Sequence, residues 1–173
     1  NMMLTTGTTS YGNSGYMNIT TGSAKFGRGG NITILVGTGT SGYGGNLTLY
    51  AGTSTLTTGG QVRVASGEGS ASTSGAITIR TANSGKRGAS GALVFSSGTA
   101  ACGNSGSILI GSGFASGGRG GGIAVTVGSG DSGRGGHVPI QSGRSTVMTG
   151  GTIYVESGEG TSTTSGSIKI RTA

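Results

Sequence analysis

The stretch GGNITILVGTGTSGYGGNLTLYAGTSTLTTGG, residues 29–60, contains nearly the same phrase twice, fifteen residues apart. The whole chain divides into rows of fifteen residues in this way, with one extra residue in the sixth row. Most rows read x-Φ-x-Φ-x-x-G, where Φ is aliphatic or Phe, and end in Gly-Gly or Ser-Gly. Such a fixed period is the mark of a repeat architecture. The rows begin at Asn1, Tyr16, Asn31, Asn46, Gln61, Ala76, Ala92, Ser107, Gly122, His137, Thr152 and Ser167.

A longer period lies on top of the first, since residues 92–173 match residues 1–82 row by row. SGEG at 66–69 returns at 157–160, which is a displacement of 91 residues. We therefore expect a first six-row super-repeat at 1–91 and a second, truncated one at 92–173. We expect the two to form one continuous solenoid that is a fragment of a longer array.

The alternation of apolar and polar residues at the start of each row predicts a strand with one buried face. Glycines at the seventh, fourteenth and fifteenth positions argue against a helix, because each costs about 1 kcal/mol of helix propensity relative to Ala. The sequence thus predicts an all-β fold, a β-solenoid or β-helix with about 15 residues per coil and about 12 coils. Each coil is expected to be flat and two-sheeted, with successive coils about 4.8 Å apart.

The composition excludes several classes of protein. The chain has 173 residues, of which 42 are Gly, and only 31% are hydrophobic. A single Pro and the absence of a long apolar run exclude a collagen pattern and predict no membrane span. The net charge of +7 is not accompanied by interleaved aromatic residues, so we expect no nucleic-acid partner.

Residues that carry chemistry are few and scattered. His137 and Cys102 are the only residues of their types, so the sequence predicts no metal cluster and no cofactor. We expect His137 to be exposed, and we favour a packed Cys102 thiol over an intermolecular crosslink. The carboxylates do not pair at spacings suited to acid–base catalysis, so the sequence predicts no enzyme. These carboxylates are Glu68, Asp131, Glu156 and Glu159.

Charged residues recur at fixed row positions. Arg28, Arg119 and Arg134 share the thirteenth position, which predicts a basic ridge able to bind an acidic polysaccharide. Glu156 and Arg171 both hold the fifth position of consecutive rows, which predicts a surface ladder pair worth at most about 1 kcal/mol.

Three N-glycosylation sequons begin at Asn18, Asn31 and Asn46, and they give weak support to secretion. Ice binding is a weaker alternative, because the residue between the two apolar positions is too irregular for a flat Thr-rich plane.

Rows such as SGSILIGSGFASGGRGGGIAVTVGSGDSGRGG, residues 105–136, resemble the Ser/Gly/Thr-rich tandem arrays of very large surface proteins in stramenopile algae and some bacteria. The resemblance covers the whole chain and rests on phrases such as SGEGTSTxSG and the closing RTA. It implies an extracellular or cell-surface location and a fibrous or adhesive role, with no catalytic residues.

The sequence therefore predicts a structural protein that forms an extracellular filament by stacking of solenoid coils, with itself as partner through end-to-end or lateral assembly. The alternative is a stalk or adhesin that binds acidic polysaccharide or a surface through the basic ridge.

Overall fold

The structure, a computed structural model, describes residues 2–172, and the backbone in that range forms no helix and no strand. The predicted all-β fold is therefore wrong, including its β-solenoid coils and their flat sheets. In stacked coils, residues fifteen positions apart would lie about 4.8 Å from each other. Contacts between residues twelve or more positions apart are instead few, so successive rows do not pair along their length.

A bend of the backbone recurs in each of the first eleven rows. It occupies the tenth to twelfth positions of the row, except in the sixth row, where the extra residue places it one position later. The bends span 10–12, 25–27, 40–42, 55–57, 70–72, 86–88, 101–103, 116–118, 131–133, 146–148 and 161–163.

The last residue of several bends requires glycine. Gly12 and Gly42 have φ of 90° and 92°, and Gly103 and Gly133 both have φ of 100°. These values lie in the left-handed region, which residues with a Cβ rarely enter. All four glycines hold the twelfth position of their rows, so in these four rows the chain leaves the bend through a backbone conformation that favours glycine.

Beyond the bend, the chain returns to the residues that precede it. In the fourth row the Gly60 N–H donates a hydrogen bond to the Gly52 carbonyl at 2.8 Å, and in the fifth the Gly75 N–H donates to the Gly67 carbonyl at 2.9 Å. Each bond joins the fifteenth position of a row to the seventh. We call the segment from the sixth to the fifteenth position the closing loop, because its two ends meet.

Side chains close other rows. The Thr21 hydroxyl donates to the Gly30 carbonyl at 3.1 Å, and the Ser112 hydroxyl donates to the Gly121 carbonyl at 2.8 Å. Both bonds join the sixth position to the fifteenth. A closing loop is thus a short loop held by its own residues, in the manner of the compact surface loops whose ends lie close together.

Glycine at the fifteenth position allows this close approach. A Cβ on Gly45 would lie 2.6 Å from Val36 Cγ1, and a Cβ on Gly136 would lie 2.5 Å from Val127 Cγ1. A Cβ on the preceding glycine, Gly44 in one row or Gly135 in the other, would meet nothing within 4 Å. Of each Gly-Gly pair, only the second glycine is therefore required by packing.

The chain divides into two compact units, Asn1–Asn83 and Ser84–Ala173, so the division falls inside the sixth row. Two hydrogen bonds of the first unit recur in the second unit, displaced by 91 residues in sequence. The hydrogen bonds Gly151 to Gly143 and Gly166 to Gly158 match the two backbone bonds described above, at 2.9 and 2.8 Å.

Neither unit has a buried core in the part of the chain that the structure describes. Ordering a residue costs about 1–2 kcal/mol of backbone entropy, and two aliphatic side chains per row stabilise by only a few kcal/mol. Glycine-rich strands also specify their pairing register weakly. Local closure, which orders about ten residues at a time, therefore prevails over pairing between rows.

Candidate assembly surface

The second to fifth positions of each row precede the closing loop, and they carry most of the aliphatic side chains of the row. We call these four positions the apolar segment. In the eighth row Ile108 is 54% exposed, its neighbour Leu109 87% and Ile110 78%. The eleventh row shows the same order from Ile153 to Val155. In these two rows the side chain at the second position is the most sheltered of the three, and yet about half of it remains open to solvent, whereas Met2 in the first row is 98% exposed.

The sixth position continues this partly sheltered side and contacts the closing glycine. Val36 is 44% exposed, the lowest value among the large hydrophobic residues, and Val127 follows at 46%, the same value as Met17. Alternate residues of the segment therefore point to opposite sides of the backbone. In the third and ninth rows, the side that carries the second, fourth and sixth positions is apolar, and it is not covered by any part of its own unit that the structure describes.

A hydrogen bond marks the opposite side of the apolar segment. The Tyr154 hydroxyl donates to Glu156 Oε2 at 2.8 Å, which joins the third and fifth positions of the eleventh row. Glu156 thus has a partner that the sequence analysis missed, although an interval of two residues in alternating backbone could have suggested it. The ladder pair of Glu156 with Arg171 stays a prediction.

The bends expose further apolar side chains at the eleventh position. Tyr11, Phe26 and Leu56 are more than nine-tenths exposed, and Val147 is nearly so. The Lys25 Nζ lies 5.6 Å from the centre of the Phe26 ring, a distance typical of a weak cation–π contact.

The three arginines of the predicted basic ridge directly follow bends and are exposed. Arg28 lies in the first unit, whereas Arg119 and Arg134 lie in consecutive rows of the second. The ridge as a single surface stays a prediction. The sequon residues Asn18, Asn31 and Asn46 are also exposed, all in the first unit.

The chain has one histidine and one cysteine, and the exposure predicted for them is right in one case and wrong in the other. His137 is exposed, as predicted. Cys102 is exposed as well, so the prediction of a packed thiol is wrong. Cys102 lies in the middle of the bend at 101–103, where the flanking residues are exposed as well.

Across residues 2–172, no three metal-ligating side chains gather into a cluster, and no pocket is present. The same residues contain no helix that is long and apolar enough to cross a membrane.

Comparison with known protein families, with curated proteins and with solved structures finds no match to this chain.

Proposed function

We propose that the chain is a structural protein that associates with further copies of itself to form an extracellular fibre. The observation that carries this proposal is the exposure of the apolar segments, which recur in every row while no hydrophobic residue is buried within the described range. Contiguous exposed apolar surface is typical of sites where proteins associate.

The accessible surface area of the chain indicates how much of its surface a second chain could still bury. It amounts to 18108 Å². A folded monomer of 16.5 kDa would expose about 7,500 Å², and the same chain fully extended about 24,000 Å². The described structure is thus closer to the extended value, so most of the apolar surface is available to a second chain.

Repetition favours an open assembly over a closed one. The apolar segment has nearly the same sequence in successive rows, so a second copy can meet equivalent surface at several offsets along the chain. Contacts between different parts of identical chains continue into filaments when no rotation closes them into a ring. The net charge of +7 opposes the approach of copies, and salt weakens this repulsion.

The stacking of solenoid coils is not part of this proposal, because the rows do not form strands. The extracellular location rests on the resemblance to surface-protein arrays, and the exposed sequons are compatible with it. We expect mass spectrometry of material from the secretory pathway to detect glycans at Asn18, Asn31 or Asn46. A chain retained inside the cell would contradict this part of the proposal.

Electron microscopy of the purified chain in moderate salt tests the assembly. We expect elongated fibres whose number increases with protein concentration and with ionic strength. Dispersed single chains under all these conditions would contradict the proposal.

A second candidate function is a stalk or adhesin that binds an acidic polysaccharide. The observation that favours it is the exposure of Arg119 and Arg134 at equivalent positions of consecutive rows. Its test uses an immobilised sulfated polysaccharide and the double variant Arg119→Ser, Arg134→Ser. The matched control, Arg63→Ser with Arg80→Ser, removes the same charge elsewhere. A loss of binding confined to the first variant, with fibres intact, supports this candidate, whereas equal losses would reject it.

A further inference from the structure

The sixth row departs from the others in length and in its place within the chain. Its extra residue lies before the bend, which begins at Lys86 and not one residue earlier. The division between the two units also falls in this part of the row, between Asn83 and Ser84. A segment at the boundary between two compact units is where a chain best tolerates a break.

The bend at 86–88 is open to solvent. Every residue from 82 to 90 is exposed. A Cβ on Gly85 or on Gly88 would meet nothing within 4 Å, so the backbone on both sides of the bend is uncrowded. Gly88 has φ of 140°, a conformation available to glycine. The segment can therefore enter a protease cleft without displacing packed side chains.

The chemistry of the bend is unique in the chain. Lys86 and Arg87 are adjacent, and no other two of the eleven Lys and Arg residues are neighbours in sequence. Paired cationic side chains are recognised by endoproteases that place carboxylates in two adjacent subsites, where each cation is bound by a charge-assisted hydrogen bond. The glycine that follows Arg87 presents no side chain on the other side of the peptide bond.

We propose that the Arg87–Gly88 peptide bond is a processing site for an endoprotease specific for paired basic residues. Hydrolysis adds one water molecule, which leaves a carboxylate on Arg87 and a new amino group on Gly88. The products are residues 1–87 and 88–173. The first keeps rows one to five whole and the second keeps rows seven to eleven whole, so the cut falls within the sixth row alone. This inference does not depend on assembly into fibres.

The test is digestion of the whole chain, in dilute solution, with an endoprotease that cleaves after Lys-Arg, followed by intact-mass measurement. We expect one early cleavage that gives fragments 1–87 and 88–173. The variant Arg87→Gln should slow this cleavage about 100-fold or more, since the acidic subsite then faces an uncharged side chain. The control variant Arg134→Gln, changed in another exposed row, should be cleaved at the rate of the unaltered chain.

A synthetic peptide of residues 82–92 shows that the protease is active on this sequence. Cleavage of the peptide without cleavage of the chain would overturn the proposal, because the bend would then not be accessible. Cleavage after another Lys or Arg at an equal rate, or an unchanged rate in Arg87→Gln, would overturn it as well.

Discussion

The closing loop and the apolar segment of a row differ in where their partners lie, although both belong to the same fifteen residues. The loop, from the sixth to the fifteenth position, finds its partners within itself, as when the Gly60 N–H meets the Gly52 carbonyl. The apolar segment before it finds no cover within its unit, and Leu109 remains 87% exposed. The difference indicates that glycine placement determines local structure, whereas the aliphatic pair remains exposed within its own unit.

The largest effect is expected from a charge on the sheltered side of the apolar segment. The double variant Ile32→Asp, Ile123→Asp changes the second position in one row of each unit. Loss of two aliphatic contacts and burial of two charges should cost about 3 kcal/mol or more, which raises the protein concentration needed for association about 100-fold. Sedimentation velocity over a concentration series measures this shift.

The matched control places the same two charges one residue later, at the third position. The double variant Thr33→Asp, Ala124→Asp has the same net charge but changes the other side of the segment. It should associate nearly as the unaltered chain does. An equal defect in both variants would show that charge alone, and not the apolar side, governs assembly.

A smaller effect is expected where the closing loop is tight. Gly45→Ala places a Cβ 2.6 Å from Val36 Cγ1, so the loop must open or shift. Overpacking of this kind costs about 1–3 kcal/mol. The measurement is the NMR cross-peak between the Val36 methyl groups and residue 45, which should weaken or vanish.

Two further variants make this test specific. Gly44→Ala should leave the Val36 cross-peak unchanged, because nothing lies within 4 Å of its new methyl group. Val36→Ala in the Gly45→Ala background should restore closure by removing the clash. Failure of the second change to restore it would mean that the fifteenth glycine acts through backbone freedom and not through packing.

A single hydrogen bond of the closing loop should matter less. Thr21→Val keeps the shape of the side chain that faces Gly30 but removes the hydroxyl that donates to its carbonyl. The expected loss is about 0.5–1.5 kcal/mol, seen as a partly open second row by NMR. Thr20→Val, at the preceding position, is the control, and it should change nothing in this row.

The smallest effect concerns the Tyr154–Glu156 bond on the opposite side of the segment. Both side chains are exposed, so Tyr154→Phe should cost no more than about 1 kcal/mol and should leave association unchanged. Glu156→Gln and Arg171→Gln address the predicted ladder pair. If the pair forms, a double-mutant cycle of these two variants should show a coupling free energy for association of at most about 1 kcal/mol at low salt, and this coupling should vanish at high salt.

Part of this organisation could be predicted from the sequence. The spacing of Val36 and Gly45 within a row shows why, since a small side chain at the sixth position and a glycine-rich row end indicate close approach. The sequence also places the apolar residues at alternate positions, and Ile108, Leu109 and Ile110 differ in exposure in the expected order.

The sequence could not show that residues 2–172 form no strand. Alternation indicates which residues share a side of the backbone, and it does not indicate whether another backbone pairs with them. In this chain the pairing would have required Ile32, Leu47 and their counterparts to stack across rows, at the entropic cost of ordering every row. The exposure of Cys102 was missed for a related reason. Its place in the bend becomes visible only when the two ends of the loop, Ser97 and Gly106, are seen to meet.

Sedimentation velocity of the unaltered chain over a wide concentration range measures whether copies of the chain associate. We expect the mean mass to rise with concentration far above the 16.5 kDa of one chain, and to rise further as salt weakens the repulsion between chains of net charge +7. A constant mass of 16.5 kDa at every concentration and salt would contradict it.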